Sequence, residues 1–376
     1  MAGVVETIEK RIPQAFKDKL LLLIIVAAGF TVFNLKFHMS YGTGMDYLRL
    51  SQKPVSYIFN DIVADQPPFY FLFLKAYTWV FGMGVTAIRA LLFSFLILLI
   101  SSTYTACVRI YGSREAGLLS ALLVSQNPTV VWFTYDPKYW MVFTALAMLS
   151  LNLYLKFLES KKTVWGVVWG FSAGILPSIS LAGFGIVLAF ILHYTYLSVS
   201  LKYSFKRFLP TIILIILLAS PAIINMGKAR HYLNSSQAPG VYGIKEESFG
   251  GFLWEAFYGV FLLKQDYFGA KIFLAYLAST ALLGLLSHKM RDSGKLLLLA
   301  WILVVFLGGY ISSHETSIRH RYFIPLVPAI LISSSGFHFS LNRRRLKLVL
   351  VGLLILASSC YLYMFFRGFY LTEWRG

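Results

Sequence analysis

Carboxylates are scarce in this chain: 16 Asp and Glu stand against 34 Lys and Arg, a formal net charge of +18. Where the acids fall is therefore informative. Asp46 lies in YGTGMDYLRL, Asp61 and Asp65 in FNDIVADQPPFY, and Asp136 in TYDPKYW. A carboxylate among aromatics either takes a proton from a hydroxyl as general base or holds a cation. The plain alternative is a solvated loop charge. Basic residues accompany them: Arg89, Lys138 beside Asp136, and Arg319, His320 and Arg321 in SHETSIRHRYF. Such a cluster can hold a phosphate or diphosphate, Arg by paired hydrogen bonds and Lys as a point charge. Its plain alternative is a set of snorkelling anchors. His314 and His320 have no partner at a metal-ligand helix spacing, so the pattern offers no zinc site. His193, His288 and His338 read as packing or topology residues. Cys107 and Cys360 lie inside apolar runs, which argues against a disulfide or metal role. Asn234-Ser235-Ser236 matches a glycosylation acceptor, a triplet common by chance.

The elements that must position these residues are membrane helices. Hydrophobic residues make up 58% of the chain, charged residues 13%, and mean hydropathy is +0.69. A soluble domain cannot hide that much apolar surface. The apolar runs are long and do not alternate with period two, so helices rather than a barrel satisfy the backbone in lipid. Eleven spans are expected, near 20–36, 87–108, 116–133, 139–157, 164–178, 181–199, 208–225, 270–287, 296–312, 322–339 and 346–366. Residues 67–82, opening on Pro67-Pro68 and carrying Lys75, tyrosines and Trp79, are short for a span and suit a helix lying in the interface.

With that helix kept in the interface and the N-terminus inside, basic turns such as LESKKT and LNRRRLK all face the cytoplasm, as the positive-inside rule requires. The positive charge then reads as topology and anionic headgroups, not nucleic acid. The charged N-terminal segment runs into a full-length apolar stretch without a small-residue cleavage site, so the first helix is expected to be retained. The chain is expected to form one membrane domain, 1–376, with two long outer loops at 37–86 and 226–269. The second loop contains GFLWEAFYGVFLLKQDYFG, a second candidate interfacial helix. Long loops on a rigid scaffold commonly carry function. The four aspartates, Arg89, Lys138 and the 319–321 cluster would all lie on this outer face.

The order of these motifs resembles the GT-C integral membrane glycosyltransferases of the protein-O-mannosyltransferase and aminoarabinose-transferase type. The residues that carry the likeness are Asp46, then Gln66-Pro67-Pro68 opening an amphipathic juxtamembrane helix, Phe81-Gly82, Arg89, the basic turn VRIYGSREAG, Asp136-Pro137, and RHRYFIPLVPAIL. It covers residues 20–200 well and the remainder loosely. The resemblance implies transfer of a sugar from a polyprenyl- or dolichyl-phosphate carrier to an acceptor hydroxyl on the non-cytoplasmic side. Asp46 would be the general base, with Asp136 a second catalytic carboxylate. Lys138, Arg89, Arg319 and Arg321 would meet the phosphate, and Asp65, Gln66 and Tyr135 would line the substrate site. Tyr70, Trp140 and Trp254 would offer stacking faces for sugar or belong to the aromatic belt. The implied partners are a lipid-linked sugar donor, an acceptor glycan, lipid or protein, and membrane lipids. No cofactor is required, and a divalent metal is left open. A prokaryotic plasma membrane or the endoplasmic reticulum would house it. Two departures stand out: Tyr47 occupies the position of the family's second acid, and Gln66 that of a histidine.

Two other classes are weighed against this one. A transporter or lipid flippase would need ionisable residues in mid-span and broken helices, with Pro177 and Pro221 the candidate breaks. No internal repeat supports the inverted-repeat plan. A catalytically inactive membrane scaffold of the same fold would point Asp46 and Asp136 away from any shared site.

Overall fold

The computed structural model describes Leu21, residues 43–60, 68–200 and 203–235, Phe252, and residues 268–287, 292–315 and 323–373. Every described element is helical: α1 (Thr43–Ser51), α2 (Val55–Asn60), α3 (Pro68–Phe81), α4 (Val85–Tyr111), α5 (Arg114–Ser125), α6 (Pro128–Phe133) and α7 (Trp140–Ser160) come first. They are followed by α8 (Thr163–Ile179), α9 (Ala182–Ser200), α10 (Phe205–Ser235), α11 (Phe268–Leu286), α12 (Asp292–Glu315), α13 (Leu326–Ser340) and α14 (Arg344–Glu373). The expected first span, 20–36, lies outside the described residues apart from Leu21, as does most of the second outer loop, of which residues 226–235, Phe252 and residues 268–269 are described.

Four described helices are long and apolar enough to cross a bilayer: Val85–Tyr111, Trp140–Ser160, Ala182–Ser200 and Phe205–Ile224. Shorter apolar helices, Thr163–Ile179, Ile272–Leu286, Gly294–Gly308 and Leu326–Ser340, pack among them. Large apolar side chains point outward along this bundle, including Phe171, Leu192, Leu217, Ile224, Leu348 and Val349. Water does not tolerate a surface of that kind and lipid does. The chain is an integral membrane protein.

The centre of the bundle is α13, in which every residue from Leu326 to Gly336 is buried. It packs on α5, α11 and α12. Its small residues admit a neighbour's ring. The Tyr111 hydroxyl donates to the carbonyls of Gly284 and Ser333, and a Cβ at Gly336 would run into the Tyr111 ring. A second close approach joins α8 to α10. A Cβ on Gly170 would come within 3.2 Å of the Thr211 backbone, and one on Gly174 within 3.0 Å of Ile215. Gly170 and Gly174 therefore serve a contact inside this chain, as small residues four apart do in other membrane helices.

One expected element is corrected. Residues 116–133 do not form a single helix. The chain breaks at Gln126-Asn127, where the Asn127 side chain accepts from the Val130 amide and Pro128 takes the first turn of α6. Both features start a new helix rather than continue the old one. The two proline candidates for transporter-type breaks behave differently: Pro177 lies in the last turn of α8, which ends at Ile179, and Pro221 lies within α10, which runs on to Ser235.

The basic turns gather at one end of the bundle. Arg109 sits 3.9 Å from Glu159 and donates to the Asn152 carbonyl at 2.6 Å. Arg207 donates to the Lys161 carbonyl at 3.2 Å. Asp136 precedes α7 and therefore lies at that helix's opposite end.

Candidate functional site

The site is organised by α3, the helix that follows Pro67. Its last turns leave Trp79, Val80 and Phe81 exposed, with Trp79 at 87%. That apolar, aromatic end suits an interface. Gly82, at φ 82°, ends the helix, and the Tyr77 hydroxyl donates to the Ala87 carbonyl at 2.8 Å, tying α3 to the first turn of α4. The short helix α1 runs alongside α3 in the same direction. At one end Tyr47 stacks on Phe71, ring centroids 5.4 Å apart. At the other, Gln52 donates to the Thr78 hydroxyl at 2.9 Å, and the Lys75 ammonium donates to the carbonyls of Gln52 and Lys53 at 3.1 and 2.9 Å. Lys75 thus terminates α1 by satisfying carbonyls beyond its last turn, as cations do at helix C-termini.

The first turn of α3 meets the segment before α7. Tyr70 is buried, and its hydroxyl donates to the Pro137 carbonyl at 2.8 Å. Its ring and that of Tyr139 lie edge to face, 6.1 Å apart, and Tyr47 sits 6.2 Å from Tyr139. Burial pushes the Tyr70 phenol well above its ordinary pKa, with the negative charge of Asp136 and then Tyr47 adding to the shift. Tyr70 therefore stays protonated and remains a donor to Pro137.

Asp136 is the chemically loaded residue of this junction. Its side chain is only 8% exposed and that of Lys138 12%. The Lys138 ammonium donates to Asp136 Oδ2 at 2.8 Å. Among the described residues, Asp136 Oδ1 is buried and has no hydrogen-bond partner. A buried carboxylate oxygen in that condition can accept a hydrogen bond from a water or a ligand.

Asp46 differs. Its side chain is 61% exposed and lies 3.8 Å from the exposed Arg49 guanidinium, one turn on. Yet Tyr47, the next residue, packs on Tyr70, Phe71 and Tyr139. Asp46 and Asp136 are therefore at the same end of α3. Arg89 lies half-buried at the start of the second turn of α4, beyond the contact that Tyr77 makes. Tyr77 is two turns, about 10 Å, along α3 from Tyr70. Tyr135 is half-buried beside Asp136. Asp61, Asp65, Gln66, Trp254, Arg319, His320 and Arg321 lie outside the described residues.

Two expected stacking faces are corrected. Tyr70 is 1% exposed and Trp140 is fully buried, so neither presents a ring to a sugar. They brace the Asp136 turn instead. Their spacing on α3 and α7 gave no sign of this, because inward and outward aromatics look alike at a membrane surface. Tyr47 was missed too. The signal was present in DYLRLS, where Tyr47, Leu48 and Ser51 share one face of a short amphipathic helix. Of the histidines read as packing or topology residues, His193 and His338 are buried against tyrosines, and His288 lies outside the described residues. Tyr154 meets His193 at 2.6 Å, and Tyr276 meets His338 at 2.5 Å.

ArnT from Cupriavidus metallidurans in its apo state matches with a TM-score of 0.63 at 16% sequence identity, covering 92% of this chain and 64% of that one. The fold is GT-C. ArnT from the same organism bound to undecaprenyl phosphate matches with a TM-score of 0.59, also at 16% identity, over 90% of this chain and 62% of that one. The archaeal oligosaccharyltransferase AglB from Archaeoglobus fulgidus, in complex with an inhibitory peptide and a dolichol-phosphate, matches at 0.55 with 12% identity, over 94% and 55%. This GT-C chain thus spans less than two thirds of the length of these solved neighbours. No family model and no curated protein sequence matches it.

Proposed function

We propose that this chain is a membrane glycosyltransferase that moves a sugar from a polyprenyl- or dolichyl-phosphate carrier to an acceptor hydroxyl on the non-cytoplasmic side. One observation carries the reading: in a GT-C fold, Asp46 and the buried Asp136–Lys138 pair gather at one end of the juxtamembrane helix α3. The ligands bound to two solved neighbours, undecaprenyl phosphate and dolichol-phosphate, support this carrier class. The basic turns at the opposite end of the bundle favour an outward-facing site by the positive-inside rule.

Asp46 is the general base. A hydroxyl is a weak nucleophile until a positioned carboxylate takes its proton, and an exposed carboxylate can reach an acceptor arriving from water. The acceptor oxygen then bonds to the sugar's anomeric carbon as the bond from that carbon to the carrier phosphate oxygen breaks. The electron pair leaves with the phosphate. Lys138, with Arg89, Arg319 and Arg321, offsets the growing charge. Asp136 Oδ1 accepts from a sugar hydroxyl, and Asp65, Gln66 and Tyr135 complete the substrate wall.

The experiment is a transfer assay on purified protein in lipid with a panel of radiolabelled polyprenyl-phosphate sugars. Wild type should release sugar from one donor, and Asp46→Asn should lose at least two orders of magnitude in rate, the usual worth of a general base. No turnover and no binding of any donor by wild type would return the chain to a scaffold or transporter.

A further inference from the structure

Some enzymes of this fold use a divalent metal. The described residues at the Asp136 end of α3 do not fit one. A hard divalent ion takes six or more oxygens from carboxylates, carbonyls and water. Asp136 has one oxygen to give, because Lys138 holds Oδ2 at 2.8 Å. The ammonium is 12% exposed, so its charge is poorly screened and repels a second cation at Oδ1. The other described acid here, Asp46, faces the Arg49 guanidinium. Among the described residues, no three His, Cys, Asp or Glu side chains are grouped to hold a metal.

We propose that Lys138, seated on Asp136, is the resident cation of this site, so that the phosphate-linked ligand is held without a divalent metal. This rests on the lipid-phosphate reading above. Asp136 fixes the ammonium at a defined point, and Tyr70 fixes Asp136 by holding the Pro137 carbonyl between the two charges in sequence. An ammonium has three donors, and the carboxylate takes one. The other two are available to phosphate oxygens. A ligand phosphate at Lys138 brings the sugar beside Asp136 Oδ1, an acceptor with no other described donor.

The test uses the full chain in lipid nanodiscs with two probes, Mn2+ followed by electron paramagnetic resonance and undecaprenyl phosphate followed by native mass spectrometry. Wild type should show no saturable Mn2+ site up to about 1 mM, the weak end for protein sites of hard cations. It should bind undecaprenyl phosphate equally in EDTA and in Mn2+. Lys138→Gln should weaken that binding roughly tenfold or more in EDTA, the loss of one charge-assisted hydrogen bond. A saturable Mn2+ site that vanishes in Asp136→Asn overturns the proposal, as does lipid-phosphate binding that requires Mn2+ or is unchanged in Lys138→Gln. No undecaprenyl phosphate binding under either condition sinks the glycosyltransferase reading and this inference with it. The two wild-type measurements stand whatever Lys138→Gln does to folding.

Discussion

Removing the Lys138 charge should destabilise the protein far more than breaking a surface ion pair. The structure sets the scale. At 2.8 Å, two unit charges attract by about 6 kcal/mol at an effective dielectric constant near 20. Most of that offsets the desolvation of two side chains that are each nearly nine-tenths buried. The net worth of the pair is therefore modest, but the cost of halving it is not. Lys138→Met keeps the length of the stem and its packing while leaving a buried carboxylate without a described donor. Breaking a buried pair in this way costs about 3–5 kcal/mol. Adding Asp136→Asn removes the orphaned charge and should recover more than half of the loss. The assay is thermal unfolding in detergent for wild type, both single variants and the double variant, read as a double-mutant cycle. A loss below about 1 kcal/mol for Lys138→Met would mean the pair is open to water. A double variant no more stable than Lys138→Met would mean that uncompensated charge is not the cause. Either result would refute the reasoning.

Four further outcomes follow from the geometry. Tyr70→Phe leaves the Pro137 carbonyl without its donor and should cost about 1–3 kcal/mol, read by the same unfolding assay; an unchanged midpoint would show that water replaces the phenol. Lys75→Met uncaps α1 and should raise proteolytic cutting within residues 43–60 while leaving the bundle intact, measured by limited proteolysis. Gly336→Ala should lower the unfolding midpoint through its clash with Tyr111, by about 1–3 kcal/mol, and Tyr111→Leu should restore part of it. Glu115 is held below the ordinary carboxylate range by its own backbone amide and then by the Ser113 hydroxyl. Its stabilising effect is thus present above the usual glutamate pKa and lost as pH falls through the lowered one. Ser113→Ala, which also removes the N-cap of α5, should flatten that acid dependence in unfolding curves taken across the acid range.

What the sequence disclosed divides along the line between solvent and packing. Spans such as α4, α7 and α9 were legible because lipid demands long apolar runs, and hydropathy reports that demand directly. The interfacial helix α3 was legible from Pro67-Pro68 and its short length. The break between α5 and α6 was written in Asn127-Pro128, but an apolar window passes over a helix restart whose flanks are both hydrophobic. Asp136 and Lys138 stand two apart in sequence, so their proximity was readable. Their burial was not, because it depends on tertiary packing at a junction where Tyr47, Tyr70 and Tyr139 meet from α1, α3 and the turn before α7.

Tyr47 shows how the divergent motif fits together. Read as a motif, it is a missing acid beside Asp46. In the fold it is the plug that brings α1 onto α3 and fixes Asp46 near the Asp136 turn. A second carboxylate at position 47 would have to be buried among Phe71, Tyr70 and Tyr139, at the several kcal/mol that an uncompensated charge costs. An acid at position 47 is thus incompatible with this packing. Tyr47 in its place leaves Asp46 as the single exposed carboxylate on α1.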